Sequence, residues 1–502
     1  MPFLRNLARM IFPAVLGAAV LASVLALPAR TLLAQVVTPG EYGLENKGLV
    51  ATGRVPSNAR DKFGETTISA SGMAVDQRAW RKTANGYRGV IYLLPDRGYN
   101  VSGTIDYQPR IHKLSIALNS TATPAPGQQR RDGVTATTLL DTIKLTDAAG
   151  VPLTGLDPPE NGVRPAANGF PDMPQAANGR ISLDPEAMVL LPNGEFFVSD
   201  EYGPYIYRFS AKGRMLAAIR PPAAFIPLRG GRVHFSSNNP GPGAAAPRPP
   251  DPEFGRQNNQ GFEGLTLTPD GKTLVAILQS ATRQDGGNSA ATRQYTRILF
   301  YDIADLNSPK LVREHAVVLP AFTDVEGKKK IAAQSELLAL DNDHFLLLCR
   351  DSQSGYGMPN ATSVYRRIEL LDTSRATNIA GSKYDGSAPL APNGKLEPEI
   401  VPAALASFID INDNSQLAKF GLHNGPPNDR TNLSEKWEAM GLVPALDPSR
   451  PQDFFLFVAN DNDFVTRKGF QAGAAYKDPS GADIDTIFLV YRISVSKIRM
   501  MH

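Results

Sequence analysis

Four glutamates each stand at the head of a short apolar run: Glu186 in DPEAMVLL, Glu263 in GFEGLTL, Glu336 in QSELLAL and Glu438 in WEAMGLV. A second set of acids follows the next apolar run in each region, at Asp96, Asp200, Glu201, Asp351, Asp461 and Asp463. Carboxylates brought together repel and raise one another's pKa values. Two kinds of partner relieve that. A hard cation such as Ca²⁺ takes about six to eight oxygen ligands, and a guanidinium forks onto carboxylate or phosphate. The four glutamates are therefore the candidate metal ligands. Asp96, Arg97 in PDRGYN, Arg110 in YQPR and Arg350 in CRDSQ are candidate substrate-binding groups. Asp200, Glu201 and Arg97 are candidate catalytic groups. Acids, arginines and a divalent cation together suit a phosphate ester, because the ion neutralises charge and activates water while arginine holds phosphate oxygens. The same acids also have an architectural reading, in which they cap turns or pair with arginine to fix register. Both readings stand at this stage.

Several other devices lack their signatures. The chain has no H-E-x-x-H, no G-x-S-x-G, no G-x-x-x-x-G-K-[ST] and no R-H-G-x-R-x-P. Its six histidines are scattered. The run DINDNSQLAKFG from Asp410 imitates half an EF-hand loop, but Ser415 stands where glycine is needed and Gly421 where the bidentate glutamate belongs.

The elements that carry these residues repeat. Around each glutamate comes an apolar strand, a turn such as LPNGE, TPDGK or LDNDH, and a second apolar strand. Asn-Gly and Asp-Gly between apolar runs mark hairpins, because glycine tolerates positive φ. A third, alternating strand follows in PRIHKLSIAL, YIYRFSAKG, TRILFYDIAD, SVYRRIELLD and TIFLVYRISV. The repeats start at Ser71, Glu186, Glu263, Glu336 and Glu438, which lie 115, 77, 73 and 102 residues apart. A four-stranded blade needs about 40–50 residues. Pro/Gly-rich insertions at 157–180 and 238–260 supply the excess.

This pattern predicts an all-β chain folded as a β-propeller. Five units are legible. A sixth blade is expected from the segment 42–67 and the final strand at 486–495, closing the ring across the termini. In such a ring the second set of acids is expected at a different height from the glutamates unless loops fold inward.

The remaining features concern where the chain works. Residues 1–34 run from Arg5 and Arg9 through an apolar stretch to small residues at Ala29 and Ala34. That is the order of a secretory signal with cleavage near 29 or 34, leaving a single domain over 36–498, extracellular and free of the membrane. Sequons at Asn100, Asn119, Asn360 and Asn432 fit a glycoprotein. The lone Cys349 follows an apolar run and reads as a small buried hydrophobe. With 52 basic and 49 acidic residues, the net charge of +3 gives no field for nucleic acid. The expected partner is a small molecule, and the sequence carries no signal for an oligomeric state.

The blocks DRGYN…DYQPR, DPEAM…VSDEYGPYIYRFSAKG, NQGFEGLTLTPDGKTL and LQS resemble the phytase-like domain family, described as esterase-like activity of phytase. The resemblance runs from about Leu49 to Ser496. It implies a secreted, propeller-like phosphoric-ester hydrolase. Its matched positions are Asp96, Arg97 and Gly98, then Glu186, Asp200 and Glu201, then Glu263, while the units at Glu336 and Glu438 match less closely. The expected function is hydrolysis of a phosphoric ester with a divalent cation, Ca²⁺, at a channel mouth. The alternatives are a non-catalytic binding propeller and a cation-dependent lactonase or esterase.

Overall fold

Apolar runs such as FFVSD, TLVAIL and HFLLLC do not alternate, so they belong to strands covered on both faces. The computed structural model, which describes residues 35–37, 43–119, 133–352 and 354–496, shows how. Five antiparallel sheets stand side by side in a ring. The expected signal segment, 1–34, lies outside the described residues.

The innermost strands are Gly72–Val75, Pro185–Leu190, Phe262–Leu267, Ala333–Ala339 and Trp437–Pro444, each against the next and the last against the first. Room at the axis is short. A Cβ on Gly72 would lie 2.7 Å from the Glu186 carbonyl oxygen, and one on Gly264 would lie 2.7 Å from the Leu337 nitrogen. Each sheet then runs outward. The second blade, for example, is Pro185–Leu190, Phe196–Asp200, Ile206–Phe209 and Met215–Ile219. The turn before Phe196 closes as its sequence predicts: Leu191 N donates to Glu195 O at 2.8 Å, and Gly194 takes φ +85°.

Alternate residues of each strand feed two different interfaces. Phe196 and Val198 face the first blade, while Phe197 faces the third. The result is five large apolar clusters, one between each pair of neighbouring blades. At about 25 cal/mol per Å² of apolar area removed from water, these interfaces dominate the favourable side of folding.

The propeller has five blades, not six. The unit that begins at Trp437 owns three strands: Trp437–Pro444, Asp453–Asn460 and Thr486–Ser496. Its fourth is Gly43–Val55, paired antiparallel from Gly43↔Ser496 to Val55↔Thr486. The two segments assigned to a sixth blade therefore complete the fifth, because the Trp437 unit supplies only three of its four strands.

Both long insertions leave the outer strand of one blade and return to the inner strand of the next. The first carries a two-residue ladder, Val163–Arg164 with Met173–Pro174, while the second follows a short hairpin, Leu228–Arg229 with Arg232–Val233, and holds no strand of its own among the described residues. No helix among the described residues is long and apolar enough to cross a membrane.

Candidate functional site

Inner strands begin, and second strands end, at the same end of the ring. The registers fix this: Gly72 pairs with Leu94, Pro185 with Asp200, Phe262 with Leu278, Ala333 with Arg350 and Trp437 with Asn460. The two sets of acids thus stand at one height without any inward folding of loops, contrary to the sequence expectation. Antiparallel pairing alone brings them together.

One group is Asp184, Glu186 and Glu201, with one oxygen of each lying within 4.8 Å of the others. Oxygens that share one Ca²⁺ at about 2.3–2.6 Å are at most about 5 Å apart. Arg97 serves one member: its Nη1 donates to Asp184 Oδ2 at 2.6 Å and its backbone N to Oδ1 at 3.2 Å. Burial pushes Asp184 up to about 7 even so. Glu186 accepts no hydrogen bond from any described residue. Burial, then the charges of Glu263 and Asp184, raise it well above the ordinary carboxylate range. Burial also raises Glu201, against the pull of Arg97 and Arg256, and its Oε1 has no donor. Arg97 Nε likewise has no acceptor, and its guanidinium lies over the Tyr202 ring at 5.9 Å.

The other three glutamates are engaged differently. Glu263 takes a hydrogen bond from Gln279 Nε2 on one oxygen and none on the other. Burial, with the charges of Glu201 and Glu438, raises its pKa well above normal. Glu438 pairs with Arg350, whose Nε donates to Ser335 Oγ at 3.0 Å. Burial carries Glu438 up to about 7 against Lys436 and Arg350. Glu336 turns to the backbone, accepting from Leu337 N at 2.8 Å and Leu265 N at 3.4 Å. Of the four predicted ligands, then, only Glu186 stands in a three-carboxylate group. Glu263 and Glu438 face the same charged volume, and Glu336 fastens two inner strands.

A second group, Asp96, Asp461 and Asp463, already encloses a cation. Lys436 Nζ lies 2.7 Å from Asp463, 3.6 Å from Asp461 and 3.9 Å from Asp96. Burial raises Asp96 well above normal, and the charge of Asp461 adds to it. For Asp461 burial loses to Lys436 and to the hydroxyls of Ser69 and Ser71, and its pKa falls. Lys436 escapes a motif-based reading because a single lysine in SEKWEAM looks like surface; only the register two residues before Glu438 hints at its position.

Three sequence candidates lie apart from this chemistry. Asp200 accepts from the backbone N of Asp184 (2.9 Å), Tyr202 (3.1 Å) and Gly203 (2.9 Å), so both its oxygens fasten a loop. Arg110 is buried in an ion pair with Asp61 at 2.7 Å and a second with Glu65. Asp351 accepts from Ser363 Oγ and from the backbone N of Val364 and Tyr365 at 2.5–3.1 Å. Asn432, read as a glycan acceptor, is buried: its Nδ2 donates to Ala361 O at 2.7 Å and its Oδ1 accepts from Gly425 N at 3.0 Å.

The residues fit a divalent cation better at the first group than at the second. Lys436 already stands within 3.9 Å of all three acids of the Asp96 group, where a cation would sit. Around Glu186, by contrast, one arginine serves one acid, and carboxylate oxygens of Glu201 and Glu263 are left without donors. A buried charge with no partner is costly, and a dication offers all of them one.

Comparison with known proteins agrees with the sequence blocks. The family described as "Phytase-like: Esterase-like activity of phytase" matches residues 71–464. An uncharacterised secreted protein of Arthroderma benhamiae is 43% identical over 465 residues, which cover 86% of this chain and 89% of that one. Solved structures that align include a luciferin-regenerating enzyme at 11% identity (88% of this chain, 95% of that one, TM-score 0.25). The calcium-binding protein regucalcin of Agrobacterium tumefaciens aligns at 9% identity (80% and 90%, TM-score 0.24). At such TM-scores these structures carry no argument, and the propeller rests on its own strand pairing.

Proposed function

The chain belongs to the phytase-like family, and on that premise we propose that it is a secreted hydrolase of phosphate esters that works with a divalent cation at the acid-lined mouth of its propeller. Secretion accords with the relative from Arthroderma benhamiae and with the order of residues in 1–34. The observation that carries the chemistry is the group Asp184, Glu186 and Glu201, buried, short of positive charge and left with carboxylate oxygens that nothing else satisfies.

In this reading Asp184, Glu186 and Glu201 hold the cation, with Glu263 beside them. A bound dication supplies charge neutralisation for a phosphoryl oxygen and makes a water molecule more acidic. The chain does the rest. Arg97 has one edge fixed on Asp184 and its Nε–H free of an acceptor, so it presents a donor to a phosphate oxygen. The Glu201 Oε1 atom, which no donor engages, is suited to take a proton from the attacking water. Asp200 holds the Glu201 loop by its three backbone contacts and so positions that oxygen.

A second reading, a propeller that binds without catalysis, is favoured by one feature: Arg350–Glu438 and Lys436–Asp463 already satisfy part of the acid ring internally. The assay separates the two. The mature protein is tested on p-nitrophenyl phosphate, phytate and p-nitrophenyl acetate, with Ca²⁺ and with chelator, beside Glu186→Gln. Chelator-sensitive turnover of a phosphate ester that Glu186→Gln abolishes supports the hydrolase. Turnover of the acetate alone moves the assignment to a carboxylic esterase or lactonase. No turnover on any of the three removes the catalytic reading.

A further inference from the structure

A cavity of about 550 Å³ opens among the insertion loops, within the roughly 300–1,000 Å³ of small-molecule sites. Its wall is built from Ile105, Leu156 and the prolines 158, 159, 240 and 242. Proline has no N–H to offer a ligand. Tyr99 and Tyr476 also line it, stacked with ring centroids 4.1 Å apart and planes at 17°.

The polar groups in this wall are committed elsewhere. The Tyr99 hydroxyl donates to Asp478 at 3.1 Å. Asp106 is held by Arg180 at 2.9 Å and by Thr154 Oγ1 at 2.7 Å. Asp157 accepts from Ser236 Oγ at 2.7 Å, Ser237 N at 2.6 Å and Asn239 N at 2.9 Å. What remains for a ligand is flat and apolar. These bonds also tie the 155–159 segment to the 236–239 segment, so the wall is formed before anything binds.

Arg97 lies close in the chain and in backbone packing to two parts of the cavity wall. Tyr99 is two residues further along, a span of at most about 7 Å. Leu156 follows Gly155, whose Cα is packed so closely on Arg97 that a Cβ there would lie 2.1 Å from the Arg97 carbonyl oxygen. The Tyr202 hydroxyl donates to Gly155 O at 2.8 Å while its ring lies under the Arg97 guanidinium. Arg97 and the cavity wall are thus carried on the same two stretches of chain, 97–99 and 155–156.

We propose that this cavity is a subsite for the aryl portion of a small ester whose ester group lies at Arg97. The aryl site stands on the cavity itself; only the position of the ester group rests on the hydrolase reading. A polyanionic substrate such as phytate has nothing to place against prolines and tyrosines, so an aryl ester is the better match.

The test uses 1-naphthol as probe, followed by its fluorescence, on wild type, Glu186→Gln, and Ala474→Trp and Ala244→Trp, which fill the cavity from separate loops away from the acids. Circular dichroism and melting temperature establish that both tryptophan variants fold. Saturable one-site binding is expected in wild type and Glu186→Gln, weakened about tenfold or more by each tryptophan. Turnover of 1-naphthyl phosphate is expected to exceed that of glycerol 2-phosphate, with the preference lost in the tryptophan variants. Absent saturable binding, binding unchanged in both folded tryptophan variants, or equal turnover of the two esters overturns the proposal. Naphthol binding that the tryptophans weaken, with neither ester hydrolysed, sustains the aryl site and removes the hydrolase reading instead.

Discussion

Replacing Glu186 by glutamine separates a cation site from an architectural one, because the two readings give opposite signs. In the cation-free protein the Glu186 carboxylate lies within 4.8 Å of Asp184 and Glu201. Arg97 offsets Asp184, so within the group Glu201 remains uncompensated, with Glu263 beside it. At an effective dielectric near 20, two like charges at that separation cost about 3.5 kcal/mol. The folded protein bears this cost as repulsion or avoids it by keeping a proton on the carboxylate, and the amide removes either burden. Unfolding entropy of about 2.1 cal/mol/K per residue gives about 1 kcal/mol/K for a chain of this size. In chelator at pH 8, Glu186→Gln should thus melt up to about 3 °C above wild type. With Ca²⁺ at about a hundred times its Kd, wild type gains about 2.7 kcal/mol, again about 3 °C, and the variant gains little. Differential scanning fluorimetry in both buffers reads the crossing. A variant that melts lower in chelator, or that keeps the full calcium shift, refutes the reasoning.

Other outcomes follow from single contacts. Asp184 and Glu438 each rise to about 7 on folding from ordinary values near 4. Between those values the folded chain holds protons that the unfolded chain has released, so in chelator the melting temperature should fall as pH rises from about 4 to 7; a cation that replaces the protons should flatten the fall. Arg350→Met strands the buried Glu438 and should cost about 3–5 kcal/mol in urea unfolding. Asp157→Ala removes three hydrogen bonds to 236–239 and should cost about 1–3 kcal/mol, with faster hydrogen exchange confined to that loop and its neighbours. In protein secreted from a eukaryotic host, amidase deglycosylation in oxygen-18 water should label no Asn432, since a glycan there would displace its bonds to Ala361 and Gly425.

The repeating features were legible in the sequence and the pairwise ones were not. Glu186, Glu263, Glu336 and Glu438 all stand at the head of an inner strand, because every blade obeys the same strand order. The blade count differs at one sheet: TIFLVYRISV is both the third strand of the Trp437 unit and the last strand of the chain, so its pairing with Gly43–Val55 closes the ring without adding a blade. The height of Asp200 and Glu201 is not legible in the sequence because register, unlike periodicity, is set between strands. Nothing local to YQPR says that Arg110 is matched to Asp61 and Glu65, since that segment reaches it only through the fold. The same holds for Lys436, whose three carboxylates come from two distant loops.

The Gly43–Val55 strand has a consequence for how this protein is made. It closes a sheet with residues as far as 453 positions down the chain, the Ser496 hydroxyl donating to Gly43 O. An early strand must therefore wait, unpaired, until nearly the whole chain has emerged. Contacts at such separation form slowly, so the ring stays open through synthesis. A chain that cannot lock its first and last strands until it is all present on one side stays threadable, which suits a polypeptide that crosses a membrane before it folds.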